Sequence, residues 1–297
     1  MKKYGITIFT PTYNRGYILP KLKESLVNQD YFDFEWLIID DGSEDDTNLI
    51  VDRWQKEGLP FDICYKKVNN GGKPRAINLA CGLARSEWLF IIDSDDELVP
   101  NSLGFIASAI NEIREDCTFV GVGVLRGHSK VSPLGKVKFS NFVDASNLQR
   151  KEYGLSFDCN EAYRISILKK FPFHVWQDEL FVPEETVLNE MSLHGYKLRW
   201  YDRVCVLSEY LPDGMTKGAW NLIKNNPMGY AMMFNHRLKY AVGYRNIINN
   251  VCQFIAMCLY AGHPLYIANC IKPMFALFCF PFGCMLAIRR FLQFKVQ

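Results

Sequence analysis

The sequence predicts an α/β fold with a mostly parallel central sheet, followed by an apolar helical extension at the C-terminus. Three observations lead to this prediction. Short apolar runs alternate with amphipathic stretches through the first hundred residues. Polar clusters follow most of these runs, in the positions where parallel sheets form ligand crevices. From about residue 247 the composition shifts to long apolar stretches that depart from this alternation.

Short strands and amphipathic helices make up the alternating part. Strands are predicted at 5–10, 34–39, 61–65 and 88–92. Helices are predicted at 17–29, 45–57 and 74–84. Because parallel strands joined by helices use right-handed crossovers, the polar residues after each strand should meet at one edge of the sheet. Residues 120–157 lose the alternation, and we expect an irregular segment there.

The first strand leads into a polar turn with the sequence Thr-Pro-Thr-Tyr-Asn-Arg. Pro11 has no N–H and should end the strand ladder. Thr12, Tyr13 and Arg15 would then be presented to a base or a ribose. An ordinary turn in which Asn14 caps the next helix explains the same residues equally well.

Two adjacent carboxylates, Asp40 and Asp41, follow the second strand. A little further on, Ser43 or Asp45 is suited to cap the next helix, whose positive end favours acidic residues. That role leaves the first two aspartates without an assigned partner. One of them could accept a hydrogen bond from a base N–H.

A glycine-rich turn with the sequence Asn-Asn-Gly-Gly-Lys-Pro-Arg follows the third strand and opens a helix. Pro74 is suited to the first turn of that helix. Gly72 allows the backbone to approach a ligand closely, while Lys73 and Arg75 could meet phosphate at the positive helix end. The spacing is not that of a P-loop.

The fourth strand ends in Asp93, Ser94, Asp95 and Asp96, which should bring three carboxylates to the edge of the sheet. Carboxylate oxygens suit Mg²⁺ or Mn²⁺, and Mg²⁺ keeps several waters and completes its shell with substrate phosphates. The cluster therefore predicts a nucleotide-diphosphate ligand. An acidic turn that only aids solubility would have the same composition.

In this order the motifs resemble glycosyltransferase family 2, whose members have the Rossmann-like glycosyltransferase A fold. The resemblance covers roughly the first hundred residues: the first polar turn, Ile-Ile-Asp-Asp-Gly-Ser-x-Asp-x-Thr at 38–47, Asn-Gly-Gly-Lys leading to Ala76 and Asn78, and Ile-Asp-Ser-Asp-Asp at 92–96. It implies an inverting transferase that uses a nucleotide-diphosphate sugar. Ile77 is a departure, since many members carry arginine there, and Arg75 is expected to supply that charge instead.

The resemblance also implies which residues surround the donor. These donor-binding candidates are Pro11, Thr12, Tyr13, Arg15, Asp41, Gly72, Lys73, Arg75, Asp93 and Ser94. Asp41 would read the base, Asp93 would touch the ribose, and Asp95 would coordinate the metal that bridges the diphosphate. Lys73 and Arg75 would lie near the sugar or the diphosphate.

A second carboxylate pair, Glu184 and Glu185, precedes a predicted helix at 187–194 that ends at Gly195. Acidic residues at a helix start are favoured by the helix dipole alone. In the resembled family, a Glu-Asp pair at this place supplies the catalytic base, before a helix that ends in Gly-Tyr-Lys. Counting back from Gly195 places Glu184 nearest that base, with Glu185 as the close rival. The segment 209–216 resembles a donor-covering loop in part of the family, and equally a plain surface turn.

Apolar stretches dominate the C-terminal region. Residues 273–288 are almost wholly apolar, a little short of the roughly 20 residues that span a bilayer, and Arg289 and Arg290 follow. Pro273 and Pro281 should break any long straight helix. The segment could form helices in the membrane interface, a re-entrant or tilted hairpin, or a helix pair that covers the catalytic core. We favour association with the membrane surface.

Composition excludes some classes of function. A net charge of +2 and a pI near 8.0, without a basic stripe, argue against nucleic-acid binding. Ten cysteines without paired spacing predict reduced thiols and no zinc site. The Met-Lys-Lys start leads directly into a strand-like run rather than a cleavable apolar stretch. We therefore expect a cytoplasmic protein, peripheral on the cytoplasmic face of the membrane.

Together these inferences predict a glycosyltransferase of the hexosyltransferase type that moves a sugar, most simply from a UDP-sugar, to a glycan or polyprenyl-linked acceptor in surface polysaccharide synthesis. Residues 1–220 would form the catalytic domain, with a nucleotide-sugar half at 1–100 and an acceptor half at 101–220. Residues 221–297 would form a helical, membrane-associated region. A nucleotidyltransferase and a catalytically inactive, transferase-like scaffold are the two alternatives.

Overall fold

The chain forms two units in a computed structural model that describes residues 3–208 and 219–296. The sheet unit contains residues 3–172 and 187–208. The helical unit contains residues 173–186 and 219–296. The segment 173–186 thus clusters with the C-terminal helices, although it precedes the predicted domain boundary in sequence. The turn at 209–216 lies outside the described residues.

Strands and helices alternate along the first part of the chain, as predicted. The strands are β1 (Ile6–Thr12), β2 (Phe34–Asp40), β3 (Asp62–Lys67), β4 (Trp88–Ile91), β5 (Asp96–Leu98), β6 (Phe119–Ser129), β7 (Ser132–Pro133), β8 (Phe142–Ala145), β9 (Cys159–Arg164) and β10 (Lys197–Ser208). The α-helices are α1 (Leu19–Val27), α2 (Thr47–Trp54), α3 (Lys73–Leu83), α4 (Ser102–Ile113), α5 (Ile165–Leu168), α6 (Glu185–Leu193), α7 (Ala219–Asn225), α8 (Pro227–Arg237), α9 (Tyr244–Tyr260) and α10 (Pro273–Val296). Short 3₁₀ helices occupy Asn147–Gln149 and Pro264–Asn269.

The strands form one mixed sheet with the order β3-β2-β1-β4-β9-β6-β10-β5, to which β7 and β8 add at β6 and β10. The neighbours β3, β2, β1 and β4 are all parallel, as predicted from the βα alternation. Strand β9 enters between β4 and β6 and is antiparallel to both. The predicted parallel arrangement therefore describes the first half of the sheet, and the second half is mixed.

The prediction that Pro11 ends the first strand is wrong, since β1 continues in register with β2 through Thr12. The oxygen of Phe9 accepts a hydrogen bond from the Ile92 N–H on the β4 side, and that of Thr12 accepts one from the Asp41 N–H on the β2 side. Alternation along the strand places the nitrogen of Pro11 on the β4 side, where the paired register has already ended. Proline is tolerated there because no neighbouring strand needs its missing N–H.

The expected irregular segment at 120–157 begins instead with a long regular strand, β6. Most of β6 is buried, and it lies between β9 and β10 in the sheet. A strand that is covered on both faces shows a continuous apolar run and no polar alternation. The lost alternation at this position therefore reflected burial of a central strand.

The core of the sheet unit lies on both sides of β2, which is buried along its whole length. Trp36 and Trp88 are fully buried there, together with Phe34 and Phe90. Each such side chain contributes about 2–3 kcal/mol through removal of apolar surface from water. This packing fixes the strand ends that carry the polar clusters. All ten cysteines of the chain are free.

The helical unit has its own apolar core, built from α8, α9 and α10 and including Met228, Phe254 and Ile255. The prediction that Pro281 breaks the last helix is wrong, because α10 continues through it. Close packing on α9 accompanies this continuity: a Cβ added to Gly283 would lie 2.5 Å from Ile255 Cγ2. We attribute the unbroken helix to this packing, which outweighs the backbone hydrogen bond lost at proline.

The opposite face of α10 is apolar and exposed. Its exposed residues include Met274, Leu277, Phe278, Phe282, Met285, Ile288 and Leu292. Among the described residues, the stretch 273–294 is long and apolar enough, by length and composition alone, to cross a membrane. Its most apolar part has a mean hydropathy of 1.6, and 22% of that part is buried. Apart from the adjacent Leu277 and Phe278, these exposed residues follow one another at intervals of three or four positions and form one stripe along the helix, which we call the α10 stripe.

Candidate active site

The predicted donor-binding residues lie at the carboxyl ends of β1, β2 and β4 and at the start of α3. These three strands are parallel neighbours, so their carboxyl ends share one edge of the sheet. The sequence motifs that are far apart in the chain are therefore brought to the same place.

Side-chain hydrogen bonds join the turn after β1 to the turn after β2. The N–H of Asn14 donates to Ser43 Oγ at 2.8 Å, and Asn14 Oδ1 accepts from the Glu44 N–H at 2.7 Å. The N–H of Gly16 donates to Asp45 Oδ2 at 3.0 Å. Asn14, in a left-handed conformation with φ of 53°, thus ties two turns together and does not cap α1.

The three candidates in the first turn differ in their surroundings. Thr12 is buried, and its Oγ1 has no hydrogen-bond partner within the described part of the chain. The ring of Tyr13 is 46% exposed. Arg15 Nη1 donates to the Tyr17 hydroxyl at 2.9 Å. An unsatisfied buried hydroxyl beside an exposed ring is an arrangement that a polar aromatic ligand would complete.

Both aspartates at the end of β2 are buried and hydrogen-bonded. Asp40 Oδ1 accepts from the Ser43 N–H at 2.7 Å, within its own turn. The two oxygens of Asp41 accept from the Gly71 N–H at 2.7 Å and the Gly72 N–H at 2.8 Å. Burial raises the pKa of Asp41, and the two amide hydrogen bonds offset only part of that rise. Asp41 therefore holds the glycine-rich turn in place.

The glycine-rich turn presents its cations beside the acidic loop. Gly72 has a φ of +85°, a left-handed conformation that favours glycine, and α3 begins at the next residue. Arg75 Nη1 donates to the Gly71 carbonyl oxygen at 2.7 Å, which folds its guanidinium back over the turn. Lys73 Nζ lies 2.8 Å from Asp93 Oδ1. The turn and the end of β4 are thereby linked by an ion pair.

Asp93, at the end of β4, is paired with two cations. Besides Lys73, the guanidinium of Arg126 on β6 lies 3.3 Å from its Oδ2. Burial alone would raise the pKa of Asp93, but the charges of Lys73 and Arg126 overcome it and hold the pKa well below its usual range. Asp93 is therefore an ionised anchor that joins α3, β4 and β6.

Asp96 is buried and paired with the same arginine. Arg126 Nη2 lies 2.9 Å from Asp96 Oδ2, and the Ser208 hydroxyl donates to Asp96 Oδ1 at 2.5 Å. Burial raises the pKa of Asp96, because the charge of Arg126 offsets only part of the desolvation. Arg126 is oriented in turn by Asn160, whose Oδ1 accepts from its Nε–H at 2.9 Å. Asp96 is thus an internal structural residue.

Asp95 is the one carboxylate of the acidic loop that no ion pair or side-chain hydrogen bond engages within residues 3–208 and 219–296. Burial and the nearby charge of Asp93 raise its pKa, and the charges of Arg15 and Arg126 offset only part of that rise. Of the three carboxylates that follow β4, Lys73 and Arg126 pair with two, Asp93 and Asp96.

The donor set fits a divalent ion that is bound mainly by its substrate. No cluster of three or more His, Cys, Asp or Glu side chains that could hold a metal exists among the described residues. Mg²⁺ typically takes one or two protein carboxylates and completes its shell with waters and phosphate oxygens. Asp95, which forms no ion pair within the described residues, could supply one such carboxylate. The buried Ser94 lies next to it.

The second carboxylate pair belongs to the helical unit. Both oxygens of Glu185, the first residue of α6, accept from Arg237: Oε1 from Nε–H at 2.7 Å and Oε2 from Nη2–H at 2.6 Å. Glu184 is half-buried and directly precedes the helix. The two rivals for the role of base therefore differ in their environment, since one of them is held in a bidentate ion pair.

Sequence reasoning missed Arg126, Asn160 and Arg237. One signal for Arg126 was present, because a lone arginine inside a long apolar run must find an acidic partner if the run is a buried strand. Asn160 and Arg237 have no such signal. Their roles depend on which strands and helices become neighbours, and neighbouring elements here are far apart in sequence.

Comparison with known families agrees with this architecture. Residues 7–171 match the family model described as Glycosyl transferase family 2. The matched segment contains β1 to β9, with the acidic loop and the glycine-rich turn.

Curated relatives of the chain are bacterial transferases. A GalNAc(5)-diNAcBac-PP-undecaprenol beta-1,3-glucosyltransferase of Campylobacter jejuni is 29% identical over 289 residues, which cover 88% of this chain and 91% of the relative. The poly(ribitol-phosphate) beta-N-acetylglucosaminyltransferase TarS of Staphylococcus aureus is 26% identical over 212 residues. That match covers 70% of this chain and 35% of TarS.

Solved structures share the fold at low sequence identity. The crystal structure of S. aureus TarS 1–349 has a TM-score of 0.57 at 17% identity, and covers 97% of this chain and 89% of that one. A mannosyltransferase from Pyrobaculum calidifontis, in complex with GDP-Man and Mn²⁺, has a TM-score of 0.54 at 15% identity and covers 97% and 81%. The predicted glycosyltransferase A fold is confirmed.

Proposed function

Because the chain belongs to glycosyltransferase family 2 and is a glycosyltransferase, we propose that it transfers a sugar from a UDP-sugar to a glycan or lipid-linked acceptor in surface polysaccharide synthesis, with inversion. Support for the donor class comes from a TarS structure in complex with UDP-GlcNAc. The name of the Campylobacter relative, which specifies an undecaprenol-linked acceptor, supports the acceptor class. The nucleotidyltransferase alternative has no support from any of these matches.

The observation that carries the proposal is the contrast among the three aspartates of the acidic loop. Asp93 and Asp96 form ion pairs with protein cations, whereas Asp95 forms none within the described residues. In a chain without catalytic use, a partly buried carboxylate without an ion-pair partner would reduce stability. A partly buried carboxylate without an ion-pair partner supports a ligand that brings its own cation, as a nucleotide diphosphate does. The same contrast argues against an inactive scaffold.

The donor would be held by residues of the sheet unit. Tyr13 offers an exposed ring to the nucleoside, and Thr12 offers an unsatisfied hydroxyl. Asp41, which organises the glycine-rich turn, is the candidate to read the base. Lys73 and Arg75 place positive charge at the start of α3, where phosphate is favoured.

Asp95 is the proposed ligand of Mg²⁺ or Mn²⁺. When bound, such an ion supplies charge neutralisation to the departing diphosphate. The protein's own contribution is to hold that carboxylate in place: Asp93 and Asp96 on either side of it are fixed by Arg126. Lys73 would add a second positive charge near the leaving group.

Glu184 is the proposed general base. In a single displacement, the acceptor hydroxyl gives its proton to this carboxylate, its oxygen forms a bond to C1 of the sugar, and the bond from C1 to the diphosphate oxygen breaks with its electron pair. One inversion at C1 follows. Such a base typically contributes about 10²- to 10⁴-fold in rate.

The α10 stripe is the proposed contact with the membrane surface. Its apolar residues are largely exposed, with Leu277 and Phe278 each at 71%. Arg289, which is also exposed, lies near the end of the same helix, where it can meet anionic headgroups. This location would bring the protein to a lipid-linked acceptor on the cytoplasmic face.

The proposal is tested with the Asp95→Asn variant. Thermal stabilisation by UDP with Mn²⁺ should be lost, and turnover on the UDP-sugar that supports wild-type UDP release should fall by a factor on the order of 1,000, because several kcal/mol of charge stabilisation disappear. Asp202→Asn, which changes an exposed aspartate on β10, is the matched control and should behave as wild type. Unchanged turnover in Asp95→Asn would refute the role of this residue.

A further inference from the structure

Charge is distributed unevenly along the chain. Residues 219–297 contain eight lysines and arginines and no aspartate or glutamate, although the net charge of the whole chain is only +2. Of these cations, Arg237 is paired with Glu185, which precedes this region in sequence. The others can gain an anionic partner only from earlier parts of the chain or from a ligand. The C-terminal part of the helical unit is therefore suited to anionic ligands.

Arg290, on α10, is a partly buried cation of this region without an acidic partner. Its Nη2–H donates to the amide oxygen of Gln253, on α9, at 3.2 Å. Its Nε–H is buried and makes no hydrogen bond, and no carboxylate forms an ion pair with the guanidinium, within residues 3–208 and 219–296. A charge that is partly withdrawn from water without a counter-ion reduces stability, and a bound anion would offset this cost.

Two further donors lie beside this uncompensated charge. Gln253 accepts the Arg290 hydrogen bond through its oxygen, and its amide nitrogen makes no hydrogen bond in the described part of the chain. The same holds for Nη1 of Arg290. Because these nitrogens belong to two groups that are already hydrogen-bonded to each other, they can donate to the oxygens of one ligand group. Arginine with a neighbouring donor is typical of phosphate recognition.

Aromatic rings hold the guanidinium in place. Its Cζ lies 5.4 Å from the ring centroid of Trp220, on α7, and 6.0 Å from that of Phe294. The two rings lie 6.3 Å apart between centroids, and Trp220 is about half exposed. Stacking on rings orients a planar guanidinium but leaves its positive charge without a counter-ion. The arrangement is therefore ordered before any anion binds.

We propose that Arg290 and Gln253 form a binding site for the phosphate of a bilayer lipid headgroup. A lipid is favoured over a soluble anion because Ile288, Phe291 and Leu292, which flank Arg290 in α10, are exposed and apolar. An interfacial helix places its basic residues at the headgroups while its apolar residues enter the lipid. The site lies within the helical unit and rests on the membrane contact proposed for the α10 stripe, to which it adds the group that is bound.

The test compares three variants of the full-length protein by co-sedimentation with phosphatidylglycerol vesicles. Arg290→Gln should weaken binding about 30-fold, because hydrogen bonds to phosphate are lost together with the charge. Arg290→Lys should still bind about 10-fold more weakly than the wild type, since lysine keeps the charge but not the planar fork. Arg289→Gln, which removes the same charge from an exposed neighbouring position, should lose only about 5-fold.

Two other lipids separate phosphate recognition from surface charge. The loss in Arg290→Gln should persist with phosphatidylcholine vesicles, which carry phosphate without net charge. It should disappear with vesicles of digalactosyldiacylglycerol, which carry no phosphate. The smaller loss in Arg289→Gln should disappear with phosphatidylcholine already, because it reflects attraction to a charged surface. Circular dichroism of each variant monitors the fold.

Several outcomes would overturn the phosphate site. Equal losses in Arg289→Gln and Arg290→Gln, or wild-type binding by Arg290→Lys, would show that the surface responds to charge alone. Thermal stabilisation by inorganic phosphate without vesicles, if absent in Arg290→Gln, would show a site for a soluble anion instead. If Leu277→Glu combined with Phe278→Glu lost vesicle binding while Arg290→Gln did not, the phosphate site would be wrong and the proposed membrane contact would stand. If neither lost binding, both would be wrong.

Discussion

The three aspartates of the acidic loop have three different electrostatic environments. Asp93 is held ionised by Lys73 and Arg126, Asp96 is buried against Arg126, and Asp95 forms no ion pair within the described residues. The difference comes from β6, which lies between β9 and β10 and carries Arg126 to the loop. Arg126 therefore determines which aspartates of the loop are paired within the protein.

The structure predicts a large loss of stability in Arg126→Gln. The substitution leaves Asp96, which is 1% exposed, as a buried carboxylate without its cation. Breaking a buried ion pair on one side typically costs about 3–5 kcal/mol. Urea unfolding at pH 7 should show a decrease of about this size in the free energy of unfolding.

A second substitution separates charge from packing. Arg126→Gln combined with Asp96→Asn should recover part of the lost stability, because the uncompensated buried charge is gone. Arg53→Gln, an exposed arginine on α2, serves as the surface control. A double variant that is less stable than Arg126→Gln alone would contradict the assigned role of the pair.

The sequence predicted the metal-ligand candidate at the level of single residues, and left the two glutamates unresolved. The acidic loop after the fourth strand has a recognisable pattern, and the resemblance to glycosyltransferase family 2 implied Asp95 within it as the metal ligand. Arg237 could not be found in this way, since its partner Glu185 lies 52 positions earlier in the chain. Ion pairs of that separation depend on which elements pack together, and the sequence pattern does not contain that information.

At the scale of single elements, the turns that follow β1 and β2 behave as one structure. Asp45 accepts from the Thr47 hydroxyl at 2.5 Å at the start of α2 and from the Gly16 N–H at 3.0 Å in the other turn. These hydrogen bonds hold the pKa of Asp45 below its usual value, although burial acts in the opposite direction. One carboxylate therefore supports both the helix and the turn that carries Tyr13.

Asp45→Asn should lower the free energy of unfolding by about 1 kcal/mol at pH 7, because it weakens the hydrogen bonds that its carboxylate accepts from the N–H and hydroxyl of Thr47, the first residue of α2. Because the pKa of Asp45 is lower in the folded than in the unfolded chain, its stabilisation is complete above about pH 4. It is lost as the pH falls through the folded-state value. The difference between wild type and variant, measured by urea unfolding, should therefore be constant from pH 7 to about 5 and shrink near pH 3.5.

A matched control is Asp52→Asn, on the exposed face of α2, where Asp52 pairs with Lys56. This variant should stay close to wild type at each pH. A difference for Asp45→Asn that grows on acidification would show that the carboxylate is destabilising in the folded state.

The positions of the elements were largely predictable, and the failures share a physical cause. Pro11 and Pro281 were read as breaks because the local rule for proline is strong, yet β1 and α10 both continue through them. In β1, no neighbouring strand is paired at the position where the N–H of Pro11 is missing. In α10, close packing of Gly283 against α9 accompanies the unbroken helix. Tertiary context decided both cases, and sequence patterns report it only indirectly.

At the scale of the whole molecule, the candidate residues are distributed over two units. The donor-binding candidates belong to the sheet unit, and the proposed base belongs to a segment of the helical unit. The sequence predicted the first assignment, because βα alternation places strand ends together. It could not predict the second, since residues 173–186 precede the apolar C-terminal region by many residues and show no shared pattern with it.

The α10 stripe should bind the protein to anionic membranes. Leu277→Glu combined with Phe278→Glu places two charges on exposed positions of the stripe, so the fold should be retained. Since insertion of each apolar side chain is worth about 1.5–3 kcal/mol, co-sedimentation with phosphatidylglycerol vesicles should weaken by at least about 100-fold.

Val242→Glu provides the comparison for this experiment, because Val242 is equally apolar, 86% exposed and outside α10. It should bind vesicles as the wild type does. Equal vesicle binding by the double glutamate variant would show that the stripe does not contact lipid. Circular dichroism of each variant monitors the helices independently of binding.

The ion pairs of Lys73 and Arg126 have a consequence for the order of arrival at the active site. Because these two side chains act as resident counter-ions, the acidic loop of the empty protein offers an incoming cation little more than one carboxylate. A single carboxylate binds a hydrated divalent cation weakly. A metal–nucleotide complex that has already formed in solution brings most of the oxygen ligands of the metal with it. The entering species should therefore be the preassembled metal–nucleotide complex, and titration with Mn²⁺ alone should produce almost no heat until UDP is added.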